Sequence, residues 1–93
     1  YQQMIGNAKT IEEKDEFFRK SRNEYQKEIA TYPYHALAYN GLGVTYIYAN
    51  AFLNKETSSV AIKSFEKAIE FDAYFIEAYS NLAAVIYRQG EVK

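Results

Sequence analysis

The chain has 93 residues, with 11 basic and 12 acidic side chains and no cysteine. This length allows one small domain. The absence of cysteine excludes disulfides, thiol nucleophiles and thiolate metal sites, and the balanced charge without a basic stripe argues against a nucleic-acid-binding surface. The chain begins with Tyr1 and contains no signal-peptide pattern. We interpret it as an excerpt from a longer protein and expect a soluble domain, cytoplasmic or bacterial periplasmic.

The polar N-terminal third predicts one long helix over residues 11–31. Thr10 and Glu13 have the spacing of a capping box. Further acidic residues in the first turns favour the helix dipole, so we interpret them as helix initiation rather than as metal ligands. Aromatic and aliphatic residues then recur at helical spacing. Residues 1–9 are interpreted as the tail of a preceding helix that breaks at Gly6.

The second helix is predicted over residues 35–52, in a stretch without charge that reaches Asn54. This stretch is long enough to span a membrane, but its asparagines are costly in lipid. A helix that is apolar on every side in a soluble protein is usually packed by several neighbours, so we predict a buried helix. His35, the only histidine, stands at its start, where we expect it to cap the helix or lie on the surface.

Two amphipathic helices complete the chain, predicted over residues 58–71 and 75–89. Thr57 or Ser58 is the expected N-cap of the third helix, and Gly90 is expected to end the fourth. No segment shows the alternation of a strand. The predicted fold class is therefore all-α.

The helices repeat along the chain. A shift of 40 residues pairs identical residues at six of the 23 positions from 25 to 47. These pairs include Tyr39 with Tyr79 and Leu42 with Leu82. Self-similarity at this period is typical of a helical solenoid.

The repeated residues also resemble the tetratricopeptide repeats. That family opens each helix pair with an aromatic residue, Leu-Gly and Tyr, and continues with Ala-x-x-x-Phe in the second helix. The resemblance implies an antiparallel helix-pair array, a fragment of an α-solenoid. The residues at matching positions form the repeat signature: Tyr39, Leu42, Gly43, Tyr46, Ala61, Phe65, Ala68, Tyr79, Leu82 and Ala83.

The resemblance divides the single domain, all 93 residues, into three parts. Residues 1–33 correspond to the end of a first repeat with an extended helix, and residues 34–72 to one complete repeat. Residues 73–93 correspond to the first helix of a further repeat. The 40-residue period exceeds the family's 34 by a six-residue insertion. Two interpretations of the insertion stay open, a solvated turn or an extra contact ridge through Phe52 and Leu53.

In tetratricopeptide arrays the first helix of each pair lines a concave groove that binds peptides or partner segments. When the groove positions of the family are transferred to the matching helix faces of this chain, the resemblance implies an apolar groove edged by tyrosines. Its residues are Leu37, Asn40, Val44, Ile47, Tyr48, Ser80, Ala84, Tyr87 and Arg88, with Glu77 beside them. The Lys–Asn clamp with which some members hold a C-terminal carboxylate is not matched, because Asn40 and Val44 occupy its positions. An extended or helical apolar segment is the expected ligand, and the alternative is that these residues are core.

Two functions stay open, and neither is enzymatic. His35 has no serine or cysteine partner at a suitable spacing, and "NGLGV" lacks the lysine of a phosphate loop, so no catalytic, cofactor or metal site is predicted. The first function is an adaptor that binds a protein or peptide in the groove. The second is a scaffold that associates with copies of itself or with flanking repeats, through outward faces of the first and fourth helices that include Phe17 and Tyr87.

Overall fold

The computed structural model describes residues 10–92, with side chains to residue 90. Within this range the chain forms helices and no strand, so the all-α prediction is confirmed. The predicted tail of a preceding helix, residues 1–9, lies outside the described residues. None of the described helices is long and apolar enough to cross a membrane. The four helices are α1 (Ile11–Thr31), α2 (Ala36–Phe52), α3 (Ser58–Phe71) and α4 (Ile76–Val92).

Helix α1 begins at the predicted capping box. The Thr10 hydroxyl accepts a hydrogen bond from the Glu13 amide at 3.0 Å, and the Glu13 carboxylate accepts one from the Thr10 amide at 3.1 Å. These bonds satisfy donors that the first turn of a helix leaves without a partner, which typically stabilises a helix by about 1 kcal/mol. The helix ends at Tyr32, whose amide donates to the carbonyl of Glu28 at 2.8 Å.

Helix α2 begins at His35, as predicted. The imidazole Nδ1 of His35 accepts a hydrogen bond from the amide of Ala38 at 3.4 Å, and Nε2 lies 3.6 Å from the carboxylate of Glu28. The histidine therefore caps α2 and links its first turn to the end of α1.

Helix α2 is the centre of the fold and packs against α1, α3 and α4. Its buried residues lie on nearly every side of the helix, which confirms the prediction of a buried helix. They are Ala38, Asn40, Leu42, Gly43, Thr45, Tyr48 and Ala49. Three neighbouring helices surround α2, and its exposed residues are Leu37, Val44, Ala51 and Phe52.

The contact between α2 and α3 is closest at Gly43. A β-carbon added there would lie 2.5 Å from the ring of Phe65. Phe65 is completely buried, in a cluster with Ala61 on α3 and Val85 on α4. The small residue on α2 thus lets the aromatic ring fill the space between three helices.

A second core cluster joins α1 to the C-terminal half of α2. Phe18 is buried against Tyr48 and Ala49, and Phe17 and Leu53 pack around them. The rings of Phe17 and Tyr48 meet edge to face, with centroids 5.0 Å apart. Phe17 was expected on an outward face. That expectation is wrong, because the ring turns inward onto α2.

The connection between α2 and α3, residues 53–57, is tied to the helices around it. Asn54 takes a left-handed conformation, with φ of 54°. The Asn50 side chain donates to the carbonyl of Lys55 at 2.8 Å, and the Thr57 hydroxyl donates to the carbonyl of Tyr46 at 2.6 Å. Thr57 is the N-cap residue of α3 as predicted, but its hydroxyl makes this bond instead of a capping bond.

The same connection also reaches α1. The Lys55 ammonium lies 3.7 Å from the carboxylate of Asp15, which also accepts a 2.8 Å hydrogen bond from Arg19. The hydrogen bond from Arg19 and the charges of Arg19 and Lys55 lower the pKa of Asp15 below its ordinary value. Partial desolvation of the carboxylate acts in the opposite direction, but it is the smaller effect. Leu53 packs into the Phe18 cluster. These residues of the predicted insertion therefore make contacts within the chain.

Helix α4 continues past its predicted end. Gly90 was expected to stop it, yet the helix runs to Val92. A glycine ends a helix by taking a left-handed conformation, and no glycine among the described residues has a positive φ. Gly90 lies inside the last turns, with open space where a side chain would be.

Candidate interaction surfaces

The predicted groove loses two of its residues to the core. Tyr48 and Asn40 are each only 6% exposed, so neither offers its side chain to a partner. The remaining predicted groove residues are accessible to different extents. Ile47 is half-buried, while Leu37, Val44, Ser80, Ala84, Tyr87 and Arg88 are exposed.

Asn40 is buried because it pairs with the neighbouring helix of the array. Its side-chain oxygen accepts a hydrogen bond from the Asn81 amide at 3.1 Å. The pair joins α2 to α4 and leaves Asn40 unavailable for the backbone of a bound peptide. Sequence reasoning missed Asn81 because a repeat shift aligns equivalent positions and does not show which residues of neighbouring helices touch.

Tyr48 is enclosed by aromatic rings. It packs against Phe17 on one side and against Phe52, at 5.1 Å between centroids, on the other. Its hydroxyl has no hydrogen-bond partner among the described residues. Burial raises the pKa of Tyr48 above its ordinary value of 10, because the phenolate would lose its hydration.

Helix α2 keeps one exposed line along its length. Leu37, Val44 and Ala51 are exposed and lie seven residues apart, on the same side of the helix. Val44 is 46% exposed. Further along, a cavity of about 440 Å³ opens between α2, the connection to α3, and α4, and Ile47 and Arg88 both line it. This side of the molecule holds what remains of the predicted groove.

Helix α4 carries a larger exposed apolar surface, on the side opposite its core contacts. Its core side consists of Ala78, Asn81, Leu82 and Val85. Ile76 is 77%, Tyr79 46%, Ile86 52% and Tyr87 68% exposed, and Ala83 between them is also exposed. We refer to this set as the α4 stripe: Ile76, Tyr79, Ala83, Ile86 and Tyr87. Ser80 and Gly90 complete the face, which carries no charge between residues 76 and 90.

The α4 stripe repeats a face of α2 that is covered. A shift of 40 residues aligns Tyr79 with Tyr39 and Ala83 with Gly43. On α2 this face contacts α3, where Phe65 packs on Gly43 and Phe71 packs on Tyr39 with 5.5 Å between ring centroids. On α4 no described element covers it. The repeat-signature residues Tyr79 and Ala83 are therefore exposed, whereas Leu82 is half-buried against the Phe65 cluster.

Helix α4 carries two exposed charges of opposite sign outside the α4 stripe, on the side where Arg88 lines the cavity against α2. Glu77 lies near its beginning and Arg88 near its end, and both are exposed. Neither forms an ion pair with another side chain in the part of the chain that the structure describes. The α4 stripe itself is thus an uncharged apolar face.

Comparison with known proteins identifies no relative. No family model matches the chain, and no curated protein or solved structure matches it. Within residues 10–90, no three His, Cys, Asp or Glu side chains are grouped so that they could hold a metal ion.

Proposed function

We propose that this chain is a non-catalytic protein–protein interaction module of the tetratricopeptide-like helical-repeat type, and that it binds an amphipathic helical segment along the α4 stripe. The observation that carries the proposal is the exposure of five apolar residues on one uncharged helix face. Single exposed apolar residues are common on protein surfaces. A contiguous apolar face of this kind is typical of an interaction site.

The energy available on this face is sufficient for binding. Full burial of a large apolar side chain contributes about 1.5–3 kcal/mol. The four large side chains of the α4 stripe are between 46% and 77% exposed, so covering them would contribute about 4–6 kcal/mol before the entropic cost of association. A complementary helix is the fitting ligand, because its own apolar face would cover the stripe along its length.

The internal repeat supports a helix as the ligand. The corresponding face of α2 is covered by α3, which presents small and aromatic residues at helical spacing. A ligand helix on α4 would take the place that α3 takes on α2. One residue differs, because Ala83 adds a methyl group where Gly43 leaves space for Phe65. An aliphatic residue should therefore fit opposite Ala83 better than an aromatic ring.

A second candidate function is peptide binding along the exposed line of α2. Leu37 and Val44 are exposed there, and the cavity beside Ile47 and Arg88 continues this surface. This is the remaining part of the groove implied by the family resemblance. It offers fewer large apolar side chains than the α4 stripe, so we place it second.

A helical peptide with the sequence of α3 tests the proposal. The probe is residues 58–71 with Phe65→Leu, held helical by a staple between positions 63 and 67, which are exposed on α3. Binding is measured by fluorescence anisotropy. We expect Ile86→Glu to weaken binding by at least about tenfold, because the glutamate would have to be buried in the interface.

Val44→Glu is the matched control. Val44 and Ile86 are both aliphatic and similarly exposed, at 46% and 52%, so neither substitution should disturb the fold. The proposal predicts that Val44→Glu leaves binding unchanged. Loss of binding with Val44→Glu but not with Ile86→Glu would support the α2 groove instead, and no binding of the probe by the unmodified chain would contradict a helix-binding α4 stripe.

A further inference from the structure

We propose that the ligand of the α4 stripe is a helix of a partner protein that carries an aromatic side chain in its last turn, and that Tyr74 and Tyr79 bind this side chain. The identity of the ligand rests on the helix-binding function proposed above. It adds to that function the direction of the bound helix and one residue by which the chain selects it.

The start of α2 shows how two tyrosines bind the end of a helix. Phe71, the last residue of α3, contacts both Tyr34 and Tyr39, with ring centroids 5.3 and 5.5 Å apart. The planes of Tyr34 and Phe71 are 87° apart, so the two rings meet edge to face. Aromatic rings favour this arrangement because the positive edge of one ring meets the negative face of the other.

The connection before α4 has the same backbone structure as the connection before α2. Four backbone hydrogen bonds recur at a shift of 40 residues. The amides of residues 32, 35, 38 and 39 donate at 2.8–3.2 Å, and those of residues 72, 75, 78 and 79 donate to the equivalent carbonyls at 2.9–3.4 Å. Tyr32 has φ −143° and ψ 86°, and Asp72 has φ −147° and ψ 93°. The backbone therefore presents Tyr74 and Tyr79 in the way that it presents Tyr34 and Tyr39.

Tyr74 and Tyr79 have no aromatic partner among the described residues. Tyr74 is 91% exposed and Tyr79 is 46% exposed. The Tyr79 hydroxyl donates a hydrogen bond to the carbonyl of Ala73 at 3.0 Å. This bond ties the Tyr79 ring to the connection that carries Tyr74, so less ordering of the ring is required when a ligand binds.

The contacts between α2 and α3 also give the direction of the ligand. Phe65 packs on Gly43, and Phe71, six residues later, packs on Tyr39, four residues earlier. The two helices are therefore antiparallel. A ligand placed in the same way runs antiparallel to α4, with an aliphatic residue opposite Ala83 and the aromatic residue six positions after it.

A helix in this place would extend an interface that the chain already forms. Leu82 packs against the Phe65 cluster between α3 and α4. It precedes Ala83 directly and lies three residues after Tyr79, so the α4 stripe begins at the edge of this packed layer. The ligand would lie beside α3 and continue the layer along α4.

A second copy of the chain does not offer a helix of this kind in its described residues. An aliphatic residue stands six positions before an aromatic one in two of the helices, at Ile11 with Phe17 and at Leu42 with Tyr48. Phe17 and Tyr48 both pack in the cluster around Phe18. Since neither aromatic ring is available, the ligand belongs to a partner protein.

A double-mutant cycle measured by fluorescence anisotropy tests the aromatic contact. The two ligands are the stapled α3 probe with Phe65→Leu and the same probe with Phe71→Ala in addition. Tyr74→Ala should weaken binding of the first probe about three- to tenfold, as expected for an aromatic pair, and change binding of the second much less. The Tyr74 side chain is almost fully exposed, so its removal should not disturb the fold.

Tyr32→Ala is the matched control. Tyr32 is also exposed, at 62%, and lies in the equivalent connection before α2. The repeat aligns it with Asp72 and not with Tyr74. Tyr32→Ala should therefore leave the binding of both probes unchanged.

Paramagnetic line broadening tests the direction of the ligand. A nitroxide is attached to the N terminus of the probe, and amide signals of the ¹⁵N-labelled chain are recorded. The N terminus of the probe lies seven residues from the position opposite Ala83, about 10.5 Å along the helix. The proposed direction places it near Gly90, about 20 Å from Ile76. We expect the strongest broadening near Gly90, and strongest broadening near Ile76 would overturn the proposed direction.

The outcomes distinguish this ligand from the proposed function. Selective weakening of the first probe by Tyr74→Ala, together with broadening near Gly90, supports an aromatic residue bound at Tyr74 and Tyr79. Equal effects of Tyr74→Ala on both probes would overturn the aromatic contact, while loss of binding with Ile86→Glu would still support helix binding by the α4 stripe. If neither probe binds, the proposed function fails and this ligand fails with it.

Discussion

Replacing Gly43 with alanine tests how closely α2 and α3 approach each other. Alanine in place of glycine inside a helix usually stabilises it by about 1 kcal/mol. At Gly43 the new methyl group would lie 2.5 Å from the ring of Phe65. Phe65 is completely buried between α2, α3 and α4, so its ring cannot turn out into solvent to make room. Overpacking of this kind costs about 1–3 kcal/mol, so we expect no net stabilisation and a loss of up to about 2 kcal/mol.

Gly90→Ala is the matched control for this substitution. Gly90 also lies inside a helix, but nothing is within 4 Å of its added β-carbon. It should therefore show the helix-propensity gain without overpacking, at somewhat less than about 1 kcal/mol because the last turns of a helix fray. The difference between the two variants measures the cost of the close approach.

The assay is thermal and urea unfolding followed by circular dichroism at 222 nm. Both variants are made in the Ile86→Glu background, so that association through the α4 stripe does not contribute. A difference of 1 kcal/mol corresponds to about 4–8 °C in Tm for a domain of this size. If Gly43→Ala stabilised the chain as much as Gly90→Ala does, the packing of Phe65 on α2 would be refuted.

Two further substitutions test contacts that involve the C-terminal half of α2. Tyr48→Phe should stabilise the fold by about 1 kcal/mol, because it removes a buried hydroxyl that has no described partner. Burial raises the pKa of Tyr48, so the unfolded state ionises first, and the unmodified chain should lose stability as the pH rises above 10. Urea titrations at pH 8 and 10.5 should therefore show a larger difference in free energy of unfolding between Tyr48→Phe and the unmodified chain at the higher pH. An unchanged difference would contradict the burial. Thr57→Val should cost about 0.5–1.5 kcal/mol by removing the 2.6 Å hydrogen bond to Tyr46. Thr31→Val, which loses only a bond within the last turn of α1, should change the free energy of unfolding much less, and equal effects would argue against an anchored connection.

Local patterns in the sequence predicted the helices well. The capping box at Thr10 and the histidine cap at His35 depend on residues three positions apart, and the structure contains both. The predicted helix starts agree with the observed ones within one residue. The end of α4 was missed because a glycine stops a helix only when it takes a left-handed conformation, and the sequence around Gly90 does not decide this.

The groove was predicted less well because it depends on distant contacts. Tyr48 is on the predicted face of α2, but the extended α1 places Phe17 over it, and this contact is not visible in the helical period of α2. Asn40 is buried by its hydrogen bond to Asn81, which lies 41 residues further along the chain, on α4. Conversely, the exposure of Ile76 and its neighbours could not be read from spacing, because the pattern that buries a face of α2 recurs on α4.

Chemical-shift mapping tests the central claim most directly. The ¹⁵N-labelled chain is titrated with the stapled α3 probe that carries Phe65→Leu, and the perturbed amides are located on the structure. Binding along the α4 stripe predicts that the largest changes occur between Ile76 and Tyr87. Changes centred on Leu37 and Val44, with α4 unaffected, would contradict the claim and place the binding surface on α2.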